Sequence, residues 1–193
     1  MDKITLCIFA CSNKLNKYSY FQVLINLKGR KIMKNLLLAI LSFAFIGANI
    51  AQETLPSVMI ENLNGEKVDI SKVAEEGKTV IISFWATWCK PCQKELNNIA
   101  EVYEDWQDDY NVEILAVSID DARNAPKVKS YAAGQAWEYT ILLDKNQDLQ
   151  RALNFQTVPY VIVIDSKGNI VYKHSGYKDG DEEDLEEQIK SML

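Results

Sequence analysis

The sequence predicts an α/β fold, a central mixed β-sheet covered by helices on both faces, and three observations carry that expectation. Residues 79–85 and 112–119 are short, almost wholly apolar runs, the pattern of strands buried on both faces of a sheet. Segments of helical spacing alternate with them, as parallel strands require for their crossovers. The chain then turns back on itself: YVIVI, residues 160–164, leads through Ser166-Lys167-Gly168-Asn169 into residues 170–173, the pattern of an antiparallel hairpin.

In chain order, Val58-Met59-Ile60 and Val68-Asp69-Ile70 flank Asn64-Gly65, a dipeptide that readily supplies positive backbone angles, so an amino-terminal hairpin is expected first. The central strand 79–85 follows, with Lys78 marking its exposed start. Leu96, Ile99, Ala100, Tyr103 and Trp106 recur at helical spacing and predict one apolar face laid on the sheet. Strand 112–119 comes next. Asn124 and Pro126 suit a helix start and Gly134 a helix end, which predicts a short crossover helix over 125–133. Residues 139–143 read as a third central strand, 148–153 as another short helix, and a terminal helix begins near Asp181.

The first 51 residues have a different character. They carry seven Lys or Arg against one acid, so without them the net charge falls from −6 to −12. A domain that acidic repels phosphate, which excludes nucleic acid as a natural partner. Met33-Lys34-Asn35 precedes LLLAILSFAFIGA, 13 mostly apolar residues, which fits the core of a secretory signal and falls short of the roughly 20 needed to span a bilayer. The expectation is export, with cleavage after Ala51 or retention of 33–51 as an amino-terminal membrane anchor. Residues 1–32 have no sustained period, and Met33 reads as the true start; the competing reading makes Cys11 a lipid attachment site. From residue 52 to 193 nothing divides the chain, so one domain is expected.

The chemistry concentrates in FWATWCKPCQKEL, residues 84–96. A strand that ends at a bend and feeds a helix delivers Cys89 to the helix amino terminus, where unpaired N–H groups and the macrodipole favour the thiolate. Cys92, one turn further, lies within reach to break a mixed disulfide on Cys89. Pro91 suits the first helical turn and Lys90 adds positive charge. Three other uses of such a pair stand beside this one. Zinc needs four ligands, whereas residues 52–193 offer these two thiols and His174. A structural disulfide closing so short a loop removes little chain entropy. An inert buried pair fits poorly beside turn residues.

With WCKPC between a buried strand and a helix, the chain resembles the thioredoxin superfamily, and within it the exported TlpA-like thiol-disulfide oxidoreductases that include the reductases of cytochrome c maturation. The extra helix and strand between Ile119 and Asp144 is similar to the insertion that separates this group from plain thioredoxin. The resemblance, over residues 55–193, implies a thioredoxin-like fold, Cys89 as the attacking and Cys92 as the resolving cysteine, and a cis-proline at Pro159. It implies that the backbone of Val158 pairs with an incoming peptide. It also matches Glu95 to an acidic residue that exchanges a proton with the resolving thiol; the alternative is a solvated glutamate complementing the helix start. Where thioredoxin carries a buried aspartate this sequence has Ser83, which leaves proton handling to Glu95 or water. Trp88 is expected as an apolar rim for the partner, with Lys90 and Pro91 beside it, while Trp85 packs.

The implied function is reduction of a protein disulfide, with electrons drawn from a membrane thiol relay and no metal or organic cofactor. A thiol peroxidase with the same helix-start cysteine, or a non-catalytic binding module on the same fold, are the alternatives. The acidic stretch 179–187 reads as a solvated helix start.

Overall fold

The computed structural model describes residues 52–74, 77–135 and 137–192. The expectations for the leader, namely the start at Met33, the signal or anchor at 33–51 and the lipid reading of Cys11, lie outside the described residues. Seven strands form one mixed sheet: β1 (Met59–Asn62), β2 (Lys67–Asp69), β3 (Thr79–Trp85), β4 (Val112–Ser118), β5 (Thr140–Leu143), β6 (Tyr160–Ile164) and β7 (Ile170–Ser175), in the order β2-β1-β5-β4-β3-β6-β7. The helices are α1 (Lys90–Tyr110), α2 (Ala125–Gln135), α3 (Asp148–Ala152) and α4 (Asp181–Lys190). The described residues belong to one compact unit.

β3 is the middle of the arrangement. It runs parallel to β4, with Thr79 opposite Val112 and Trp85 opposite Ser118, and antiparallel to β6, with Phe84 opposite Tyr160. All seven of its residues are buried. Since alternate side chains point to opposite faces, the sheet is covered on both sides here. The inserted unit α2–β5 adds a strand parallel to β4, and the amino-terminal hairpin completes that edge through β1 against β5.

Three local readings are corrected. Asn62 N–H donates to Glu66 C=O and Gly65 N–H to Asn62 C=O, so the first turn has three residues and only Gly65, at φ 84°, takes a positive angle; Asn64 does not. The Asn62 side chain accepts from the N–H groups of Asn64 and Glu66, which makes the longer turn self-supporting. Gly134 lies inside α2, which continues to Gln135; a single glycine costs a helix about 1 kcal/mol and does not by itself end it. Ala100 is exposed, so the apolar face of α1 consists of Cys92, Leu96, Ile99, Tyr103 and Trp106, joined by the polar Gln93 and Glu95.

The acidic start of α4 is more than a solvated face. Asp179 pairs with Lys94 at 2.6 Å, Glu182 accepts from Asn98 at 3.3 Å and from Tyr177 at 2.8 Å, and Asp181 lies 3.3 Å from His174 Nε2. The Asn98–Glu182 bond, with the Lys94–Asp179 pair just before α4, ties this end of α4 to the first half of α1, the half that carries the cysteines, while His174 and Tyr177 hold it to β7 and the loop after it.

Candidate active site

The carboxyl end of β3 delivers Trp85 to a bend, Ala86 to Trp88, and then to the first turn of α1. Cys89 is the cap of that helix, in extended conformation at φ −92° and ψ 97°. Its sulfur accepts from the Cys92 N–H at 3.3 Å, one of the four amides that a helix start leaves unpaired. Gln93 N–H donates to Cys89 C=O at 3.1 Å, closing the turn, and Pro91 occupies the first turn, where its missing N–H costs nothing. Cys89 and Cys92 form a disulfide with their Cα atoms 5.3 Å apart. Both sulfur-bearing residues are buried, with 4% of Cys89 and none of Cys92 reaching solvent, so Cys89 presents the accessible face of the pair.

Around this pair, Trp88 is 64% exposed, and Lys90 and Pro91 are exposed as well. Lys90 Nζ donates to Gln93 Oε1 at 3.2 Å, which folds its charge back over the first turn of the helix. Val158–Pro159 is a cis peptide bond, as the resemblance implies. Pro159 is buried and its C=O accepts from Gly176 N–H, whereas the Val158 backbone makes no hydrogen bond among the described residues. Trp85 is fully buried and packs on Trp137 and Tyr131, in line with a packing role.

Glu95 is 4% exposed, one turn beyond Cys92 on the same helix. Its Oε2 accepts from the Ser83 hydroxyl, on β3, at 2.9 Å. Burial pushes its carboxyl up to about 8, the Ser83 hydrogen bond works against that shift, and the charges of Asp181 and Glu182 add to it. Ser83 therefore does not titrate, yet it holds the group that does.

Sequence reasoning did not single out two further residues. Asp120, just past β4, is 1% exposed and accepts from both the N–H and the hydroxyl of Thr87, at 2.8 and 2.7 Å. Gln93, 7% exposed, donates through Nε2 to Thr87 C=O at 2.8 Å. The signal for Gln93 was a polar amide among the apolar positions of α1; that for Asp120 was an acid two residues past the buried strand β4. Among the described residues no group of three or more metal-ligating side chains comes together.

Comparison with known proteins places this geometry. The family model for the AhpC/TSA family matches residues 51–173. Thiol-disulfide oxidoreductase ResA of Bacillus thuringiensis subsp. konkukian is 28% identical over 137 residues, 71% of this chain and 75% of that protein. Among solved structures, a thioredoxin-like protein from Porphyromonas gingivalis is 47% identical at TM-score 0.66, covering 72% of this chain and 91% of that one. A protein from Bacteroides thetaiotaomicron described as a protein disulfide isomerase is 26% identical at TM-score 0.62, covering 74% and 89%. The chain belongs to the AhpC/TSA family, as a TlpA-like member of the thioredoxin superfamily.

Proposed function

We propose that this protein is an exported thiol-disulfide oxidoreductase that reduces protein disulfides in the bacterial cell envelope. The observation that carries the reading is the seat of Cys89: a sulfur at the cap of α1, in hydrogen-bonding contact with an unpaired helix amide, with Cys92 bonded behind it. In the reduced protein the Cys89 thiolate attacks one sulfur of the substrate disulfide. A mixed disulfide forms, and the other substrate sulfur leaves as a thiolate and takes up a proton. Cys92, having lost its proton, attacks the Cys89 sulfur. The Cys89–Cys92 disulfide forms and the second substrate thiol departs, so two electrons have passed to the substrate. A dithiol donor then returns two electrons by the same steps in reverse.

Glu95 serves as the proton exchanger for Cys92. Its carboxyl, held near 8 by burial, is close to the range of a thiol, and such matching makes transfer efficient in both directions. As carboxylate it takes the Cys92 proton; as acid it returns one when the disulfide is reduced. Trp88, Lys90 and Pro91 form the exposed rim on which the partner docks, and the unpaired backbone of Val158, next to Pro159, receives the substrate strand-fashion. No metal or organic cofactor takes part in these steps. The apolar run after Met33 supports export, with a membrane thiol relay as the electron donor and 33–51 as signal or anchor.

The test is capture. Cys92→Ser removes the resolving sulfur, so a client should remain on Cys89 as a covalent adduct that dithiothreitol releases. Failure to capture any protein in envelope extracts, with the fold intact, would count against the reading.

A further inference from the structure

Thr87 stands immediately before Trp88, and every polar group it has is held. Its N–H and hydroxyl both donate to Asp120, and its C=O accepts from Gln93. The holders come from two different elements, the end of β4 and the first turn of α1. Each is itself fixed. Asp120 Oδ2 also accepts from Ser118 Oγ at 2.8 Å, and the Asp120 N–H donates back to that hydroxyl at 3.1 Å. The Gln93 amide spends its nitrogen on Thr87 and its oxygen on Lys90, which sets its orientation.

Asp120 therefore receives three donors on its two oxygens. Burying such a network is costly unless every member is satisfied, and here Thr87, Ser118 and Lys90 satisfy it. The residue it immobilises is followed by a tryptophan that is 64% exposed, the largest exposure among the big apolar side chains described. A ring left in water gains no burial energy for the fold. It does gain as a contact if its backbone is already ordered, because a preorganised aromatic anchor loses little entropy on docking.

We propose that Asp120, Thr87 and Gln93 are positioning residues for macromolecular substrates: they hold the loop so that Trp88 stands as a rigid apolar anchor beside Cys89, and so favour protein disulfides over small ones. The inference rests on the reading of Trp88 as part of the docking rim. A small disulfide needs only the Cys89 sulfur, whereas a protein disulfide must also seat its surroundings on the rim.

The experiment uses prereduced protein and measures kcat/KM for insulin, as the protein disulfide, and for bis(2-hydroxyethyl) disulfide, as the small one. Thr87→Val keeps the shape and removes the hydroxyl; Gln93→Met removes the bond from the other side of the loop. In each the ratio of insulin to small-disulfide kcat/KM should fall by about tenfold, the effect of an interface anchor of moderate strength. Thr87→Ser, which restores the hydroxyl, should recover the ratio. An equal loss on both substrates, or no loss, overturns the proposal, and Gln93→Met decides if Thr87→Val does not fold. Trp88→Ala separates the layers. If it lowers the ratio while Thr87→Val and Gln93→Met do not, the clamp alone is refuted; if it leaves the ratio untouched, the docking role of Trp88 falls and the clamp with it.

Discussion

The hydroxyl of Ser83 reaches from the central strand to the Glu95 carboxylate at 2.9 Å, with both residues buried and twelve positions apart in the chain. A serine thus occupies the strand site from which plain thioredoxin works with an acid, and the acid stands on the helix instead. Glu95→Gln keeps the shape and abolishes the titration. Turnover with a protein disulfide should slow, and the step near pH 8 in the rate of mixed-disulfide resolution should disappear. Stopped-flow measurement across pH 6 to about 9.5 reads it; an unchanged profile removes Glu95 from the mechanism.

The neighbours of Glu95 tune that step in opposite directions. The Ser83 bond favours the carboxylate, so Ser83→Ala should move the midpoint to higher pH. Asp181 and Glu182 disfavour it, so Asp181→Asn or Glu182→Gln should move it lower. The other charged or titratable groups close by bear on the size of these shifts. Lys94 is engaged by Asp179, His174 when protonated offsets Asp181, and Tyr139, whose hydroxyl burial pushes up, stays neutral throughout. Shifts of the same sign for Ser83→Ala and Asp181→Asn would contradict this electrostatic picture.

The same group gives stability a pH dependence of known sign. Glu95 is raised from 4.5 to about 8 in the folded protein, so between those values the native state holds more protons than the unfolded chain. Stability therefore falls as pH rises through that window, with a slope of at most about 1.4 kcal/mol per pH unit from this one group. Denaturant unfolding of the oxidised protein at pH 5 and 8 should show the loss, and Glu95→Gln should reduce it. Identical differences in both proteins would mean that the carboxyl does not stay protonated in the fold.

How much of this was legible beforehand depended on distance along the chain. The strand 79–85 and the Cys89–Cys92 pair were readable because apolar runs and helix starts are local patterns. The burial of Glu95 was not, since a solvated glutamate at a helix start has the same sequence; the partner that decides it, Ser83, sits on another element. Asp120 and Gln93 were missed for the same reason, because Thr87 and Asp120 are 33 positions apart. The acidic run 179–187 read as a solvated face, and only the packing of α4 on α1 reveals that Asp179 and Glu182 are engaged by Lys94 and Asn98. Gly134 and Asn64 misled for the opposite reason: each has a strong local preference that the surrounding helix and turn override.

Core packing sets the scale against which these polar effects act. Trp106 is 2% exposed on the buried face of α1, four turns beyond the cysteines. Trp106→Ala should cost about 3–5 kcal/mol of unfolding free energy, the range for deleting a large buried aromatic. Thermal or denaturant unfolding checks it; a loss below about 1 kcal/mol would show that this face is not core.

The reactivity of the Cys89–Cys92 pair depends on the acidity of one sulfur. Titration of the reduced protein, following thiolate absorbance with Cys92→Ser to isolate Cys89, should place the Cys89 thiol clearly below an ordinary cysteine, because the helix start favours the thiolate. The thiolate so formed should react with an oxidised protein at neutral pH. A midpoint near 8.5, that of ordinary cysteine, together with no reaction, would contradict the assignment of Cys89 as the attacking thiolate.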